Sequence, residues 1–259
     1  MRAGTMSRVN ILRLVRAVIT AAAGAVVMLA QLNLPSKEFW AAQELVQWVS
    51  VALVAFSVFY DAAVAVTNAI HDAEVRKYED GLRQAMSATI GRIVEDFDAP
   101  WDKVAVYYYL ARRVSYFRHL ARVDGVRAGI AAAEMEHRFR LGVGIVGVAF
   151  LERDIVALEW RDFARAANIK GPQAWERRPA RQRYGLTWGQ LRRSPPEDGM
   201  VASPTYGPDG KPVGCILVCS PLKRATLGSD AMRQILDQCA ATLDRLGPPP
   251  KGWWRRHER

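Results

Sequence analysis

Two apolar stretches, Val18 to Leu34 and Leu45 to Val66, lie in the first quarter of the chain, and everything after Thr67 reads as water-soluble. A helix rising about 1.5 Å per residue needs roughly 20 mostly apolar residues to cross a hydrocarbon core of about 30 Å. Leu45 to Val66 meets that requirement. Its strongly polar members are Gln47 and Asp61, with Trp48 near one end and Phe59 and Tyr60 near the other, where amphipathic rings favour the interface. Val18 to Leu34 is shorter, and Ile11 to Val15 extends it if Arg13 and Arg16 snorkel toward the headgroups. A cleaved signal peptide is the competing reading of this first stretch, because arginines precede an apolar run with small residues around Ala21 to Ala25. The run continues past those alanines and a second span follows closely, which favours a transmembrane hairpin over residues 1–67.

Arg2, Arg8, Arg13 and Arg16 precede the first span and Arg76, Lys77 and Arg83 follow the second, whereas the turn holds Lys37 against Glu38 and Glu44. By the positive-inside rule this is a multi-pass protein of the cell membrane with both termini cytoplasmic. The turn from Pro35 to Glu44 is then an external loop too short to be a receptor. The chain is 50% hydrophobic, high for its 24% charged content, and carries a net charge of +10, most of it after Thr67. Such a domain, tethered beside an anionic leaflet, is drawn toward lipid. Nucleic acid is not expected as a partner, since basic and acidic residues interleave and no DNA- or RNA-binding motif is present.

Cys215, Cys219 and Cys239 fall in apolar segments on the cytoplasmic side, where thiols stay reduced. There is no CxxC, and histidine is scarce, at His71, His119, His137 and His257. The cysteines therefore read as core residues, with no metal and no resident cofactor expected.

Residues 68–97 read as a linker helix. Val75, Tyr78, Leu82, Met86, Ile90, Ile93 and Phe97 recur every three or four positions with charged residues between them. The stripe is either a parallel dimer seam that relays motion or a face packed on the chain's own core. Gly81 and Gly91 weaken the helix by about 1 kcal/mol each, so a break is possible. Asp98-Ala99-Pro100 ends the pattern and opens a domain over 98–247. Lys103 to Ala111 and Tyr116 to Val123 alternate as strands, with Asp124-Gly125 as a turn signal. Val126 to Arg140 is ambiguous, and Val143 to Phe150 reads as a short helix opening from the turn around Gly142, Gly144 and Gly147. Arg161 to Arg193 is an irregular middle rich in arginine and aromatics. Met200 to Tyr206 and Pro212 to Ser220 are strands joined by Gly207-Pro208-Asp209-Gly210. Ser229 to Leu246 closes the domain as an amphipathic helix, capped by Ser229 and stopped at Gly247. The tail, 248–259, joins adjacent tryptophans to basic residues, the mix of a membrane-interface segment or of a disordered end.

The early strand pair, the Leu141-Gly-Val-Gly-Ile-Val-Gly147 turn, the Tyr184-Gly-Leu-Thr-Trp188 segment and the Asp209 to Val218 hairpin, in this order, resemble a GAF domain over roughly Trp101 to Leu246. A PAS-like relative is the competing resemblance. A GAF-like chain implies an α+β fold, an antiparallel sheet flanked by helices, that senses small molecules or serves as a dimer module. The resemblance places a pocket between the sheet and the irregular middle, lined by some of Phe150, Trp160, Phe163, Trp175, Tyr184 and Trp188, with Arg183 or Arg140 for an anionic group. Such a set suits a small molecule or nucleotide, or else fills a core without a vacancy. The last strand carries Cys219 where many relatives have an acidic residue. Some GAF-like proteins reduce methionine sulfoxide with cysteines that precede the closing hairpin, a pattern not matched here.

Catalytic templates fail in turn. No Walker-type loop, HExxH or GxSxG occurs, Gly142 to Gly147 matches GxGxxG without a βαβ frame, and no kinase or cyclase segment is recognisable. No enzyme activity is expected. The functional expectation is a membrane-anchored sensor that forms a homodimer and signals to a separate partner. The alternative is a ligand-gated effector whose hairpins cluster and perturb the bilayer, with Asp61 as the gating residue because a carboxyl within a span needs a partner, water or the membrane edge.

Overall fold

The computed structural model describes residues 8–34, 36–114, 117–129, 135–251 and 253–254, the side chains of 8–15, 114 and 117 excepted. Arg2, Pro35, Tyr116, part of the ambiguous 126–140 stretch and the tail beyond Trp254 lie outside the described residues. The chain divides into two compact units, Met1–Glu74 and Val75–Arg259.

The first unit holds α1 (Arg8–Gln31), the short α2 (Lys37–Ala41) and the start of α3 (Glu44–Phe97). Ser36 caps α2 through Phe39 N–H, while Trp40 Nε1 donates to Leu34 O and Gln47 Nε2 to Trp40 O, both at 2.8 Å. Polar groups of α1 and α3 meet each other. Thr20 Oγ1 and Ser57 Oγ share a hydrogen bond of 2.9 Å, Arg16 forms an ion pair with Asp61, and the Arg16 guanidinium lies 4.7 Å from the Tyr60 ring centre. Apolar side chains point outward, with Met28 65% and Phe59 75% exposed. One described helix, α3, is long and apolar enough to cross a membrane; the described apolar part of α1, Arg16–Gln31, is shorter. The expectation of two full spans is met only to that extent.

Helix α3 continues into the second unit without a break at Gly81 or Gly91. A Cβ on Gly81 would lie 2.7 Å from Leu246 Cδ2, so this glycine permits a close helix approach. Asp98, at φ 52°, ends the helix. A 3-10 turn (Trp101–Lys103) leads into β1 (Ala105–Val114) and β2 (Phe117–Arg127), followed by β3 (Arg138–Arg140), α4 (Gly144–Glu152), β4 (Val156–Leu158) and α5 (Trp160–Arg177). A second 3-10 turn (Ala180–Arg183), α6 (Trp188–Arg193), β5 (Gly199–Tyr206), β6 (Pro212–Ser220), α7 (Arg224–Leu227) and α8 (Asp230–Leu246) complete the order. The six strands form one antiparallel sheet in the order β3-β2-β1-β6-β5-β4.

Period-two alternation gives the sheet two buried faces. Val106 and Tyr108 of β1, opposite Val218 and Ile216 of β6, face a core built with α3 and α8. Tyr107 and Tyr109, opposite Leu217 and Cys215, face the second core with α4, α5 and α6. Val75, Tyr78, Leu82, Met86, Ile90 and Ile93 are all buried in the first core. The stripe on α3 is thus consumed by the chain's own fold, and the dimer-seam reading of it is corrected. Helix α8 lays Met232, Leu236, Cys239 and Leu243 on the same core, capped by Ser229 and ended at Gly247, φ 75°.

Asp124-Gly125 is no turn. β2 runs through it, with Tyr108 opposite Asp124 and Tyr109 opposite Arg122 across a bulge at Val123. A Cβ on Gly125 would lie 2.2 Å from Tyr107 Cδ1, so the glycine makes room for a cross-strand tyrosine ring. The arginine-rich middle is helical rather than irregular, interrupted at Gly171 and Pro172, where Gly171 leaves helical backbone at φ 77°. Of the tail, Trp253 is neither at a membrane interface nor in a loose end. It is 1% exposed and meets the Tyr78 ring edge-on at 5.1 Å, while Trp254 lies under the Arg112 guanidinium.

Candidate functional site

The glycine turn after β3 forms one wall of a cavity of about 840 Å³ on the α4 side of the sheet. Gly144 opens α4 at φ 68°, donating its N–H to Tyr184 O at 2.8 Å, and Gly142 N–H reaches Gly147 O at 2.9 Å. A Cβ on Gly147 would lie 2.3 Å from Arg140 O, so only glycine lets α4 pack this close to β3. Gly147→Ala is expected to cost about 1–3 kcal/mol through this overlap, read as a lower melting temperature of the full chain in detergent. An unchanged melting temperature would mean that the turn is loose.

Met200 and Leu217, on the sheet, form the cavity floor, with Val143, Ile145 and Val146 of the α4 start on one side and Trp160, Leu186 and Pro195 on another. Phe139 packs edge-on against Tyr109 at 5.3 Å, and the Tyr109 hydroxyl donates to Glu136 O at 3.0 Å. Burial holds the Tyr109 phenol protonated by raising its pKa well above the usual value. Around the mouth stand four exposed arginines, Arg118, Arg138, Arg140 and Arg193. Among the described residues, Arg118, Arg140 and Arg193 have no carboxylate partner, and Arg118 sits 5.8 Å from the Phe150 ring centre. Glu136 is the acidic member of the described lining.

Of the residues singled out from sequence, Trp160 and Arg140 reach this cavity. Phe150 is buried in the core beside it. Phe163, Trp175, Tyr184 and Trp188 do not line it; they form a packed aromatic cluster, with Phe163 at 5.5 Å from both Trp175 and Tyr184 and Trp175 at 6.4 Å from Trp188. Arg183 is turned inward to Glu176 at 2.7 Å and Leu186 O at 3.2 Å. These five find their partners inside the α5–α6 layer and stand outside the lining of this cavity. Sequence reasoning missed Arg118 and Arg193. Arg118 carries a trace of signal, alternating with apolar residues on a strand; Arg193 carries none beyond its place at a helix end.

Cys215 and Cys219 flank Leu217 on the same face of β6, fully buried and outside the cavity lining, and Cys239 lies in the other core. Burial pushes all three thiols up from their ordinary pKa.

A second, polar cleft of about 540 Å³ is lined by Lys103, Arg127, Arg161, Glu197 and Asp198. Four of its charges are spent on one another in the Arg127–Glu197 and Arg161–Asp198 ion pairs.

No family model and no curated relative matches the sequence. Among solved structures, the chain is similar to the type II free methionine-R-sulfoxide reductase of Thermoplasma acidophilum, 20% identical over 65% of this chain and 93% of that one at a TM-score of 0.40. It is similar also to the GAF domain region of a Geobacter sulfurreducens protein, 15% identical over 67% and 97% at 0.41, and to the GAF domain of a Bacillus halodurans two-component sensor histidine kinase, 12% identical over 62% and 91% at 0.35. These neighbours overturn the expectation that no enzyme is present. Free methionine-R-sulfoxide reductases stand among them. The fold assignment itself rests on the sheet order, the helices on both faces and the glycine turn that opens α4: the second unit is a GAF-like α+β domain.

Proposed function

We propose that the chain is a membrane-anchored sensor whose GAF-like domain binds a small anionic molecule in the cavity beneath α4. The observation that carries this is the combination of an apolar cavity of about 840 Å³ with an arginine mouth in which Arg118, Arg140 and Arg193 lack carboxylate partners among the described residues. A guanidinium recognises carboxylate or phosphate through paired, charge-assisted hydrogen bonds, and a cavity of this size suits a metabolite. The start of α4 in the same wall adds the favourable end of a helix dipole.

The membrane part of the reading is a two-helix hairpin of α1 and the first half of α3 with both termini cytoplasmic. It is supported by outward apolar side chains on both helices and by polar groups turned toward each other. Homodimerisation and a separate signalling partner complete the reading, with α3 as the element shared between anchor and domain.

The test is native mass spectrometry of the full chain released from lipid nanodiscs, with and without an anionic metabolite library. The wild type is expected to retain or capture an anion. The double variant Arg140→Glu, Arg193→Glu is expected to keep its melting temperature and lose at least tenfold in affinity. A wild type that captures none, or a variant that binds equally well, would sink the proposal.

A further inference from the structure

We infer that the ligand of the cavity is an amphipathic carboxylate: an apolar body with one acidic end that offers hydrogen-bond acceptors and no donors. The inference rests on the reading that the cavity takes an anion, and adds its chemical class. Among the described residues, three acceptors near the walls are already committed. Leu186 O accepts from Trp175 Nε1 at 3.1 Å and from Arg183 Nη1 at 3.2 Å, and Arg140 O accepts from Val143 N–H at 3.1 Å. Gln190 Oε1 is held in the α6 cap, accepting from Thr187 N–H at 2.9 Å and from the Thr187 hydroxyl at 3.0 Å. Ser194 spends its hydroxyl hydrogen on Gln190 O at 3.0 Å.

Apart from the exposed Glu136 carboxylate at the mouth, what the described lining still offers is donors: the guanidiniums at the mouth and the carboxamide N–H groups of Gln190. A nucleobase with an exocyclic amine, or a sugar with several hydroxyls, brings donors of its own into this acceptor-poor wall. Each buried donor left unmet weakens binding by roughly tenfold or more, enough to reverse a preference. A carboxylate brings none. The floor asks for hydrocarbon, since Met200 and Leu217 are almost fully buried and offer no polar atom capable of a strong hydrogen bond. Glu136, the acidic residue of the described lining, is exposed and leaves the floor apolar while restricting the charge the mouth accepts.

The experiment is calorimetric titration of the full chain in lipid nanodiscs, with empty nanodiscs as the blank. Three probes are compared: 2-naphthoate, 2-naphthalenemethanol, which keeps the body and removes the charge, and AMP, which is anionic but carries a base and a sugar. The expected result is that 2-naphthoate binds at least tenfold more tightly than either of the others, and that Arg140→Glu removes that advantage. AMP binding as tightly as 2-naphthoate or more so, with sensitivity to Arg140→Glu, overturns the inferred class and leaves the anion-binding proposal standing. Equal binding of 2-naphthoate and the alcohol, unaffected by Arg140→Glu, overturns the class as well. If no probe binds and native mass spectrometry finds no captured anion, the anion-binding proposal itself fails and this inference falls with it.

Discussion

Trp253→Ala is expected to lower the melting temperature of the second unit by roughly 10 °C. Its indole is 1% exposed and packs edge-on at 5.1 Å on Tyr78, inside the core that joins α3, α8 and the sheet. Deleting a buried tryptophan costs about 3–5 kcal/mol, and each kcal/mol moves the midpoint of a domain this size by about 2–4 °C. The measurement is near-ultraviolet circular dichroism of the full chain in mild detergent. Trp254→Ala is the control, since Trp254 is half-buried under Arg112 and its loss should cost far less. If the two variants melt alike, Trp253 is not anchored in the core. Tyr78 gives an independent check, because burial raises its phenol pKa, and releasing the indole would return that pKa toward its ordinary value.

What the sequence made legible follows from how each feature is encoded. Strands β5 and β6 and helix α8 have periods that a single core imposes, so their bounds and buried faces could be read directly. The α4 turn was legible because Gly142 and Gly144 adopt positive φ, a backbone requirement that appears as residue type. Asp124-Gly125 misled because the same dipeptide serves a turn or a cross-strand aromatic, and only the partner strand decides which.

The candidate site was harder to read because a cavity is a volume that no side chain fills, and periodicity carries no record of it. Phe163, Trp175, Tyr184 and Trp188 have the composition of a pocket, yet they stack on one another. Arg183 and Arg140 are indistinguishable in sequence; one has Glu176 within reach and the other has no carboxylate partner among the described residues. The arginine mouth exists because β2, β3 and α6 bring Arg118, Arg140 and Arg193 together from distant positions, and that juxtaposition is a property of the fold alone.

Asp61→Leu is expected to impair seating of α1 in the membrane at least tenfold, and Asp61→Leu combined with Arg16→Leu to restore it. Asp61 pairs with Arg16, whose guanidinium also lies against the Tyr60 ring, and a second polar contact joins Thr20 to Ser57 deeper along the same helices. Arg16 and Asp61 are about half exposed within the first unit, so the penalty comes from lipid: where the bilayer shields the pair, breaking one side costs about 3–5 kcal/mol, whereas replacing both sides by apolar residues is often neutral. On insertion scales an unpaired arginine at mid-span costs about 2.5–3.5 kcal/mol, and snorkelling lowers that figure near the interface. The readout is labelling of a cysteine introduced as Glu38→Cys by a membrane-impermeant maleimide added to intact cells. If the hairpin is inserted, the α2 loop is labelled from outside, labelling falls in Asp61→Leu, and it returns in the double variant. A gating role predicts a different pattern: Asp61→Leu would be labelled like the wild type while ligand-dependent depolarisation disappeared. The pairing with Arg16 gives the carboxylate a partner within the first unit, which favours a positioning role over a gating one, and α3 runs on from that pair into the core of the domain, as the element through which occupancy of the cavity would be felt.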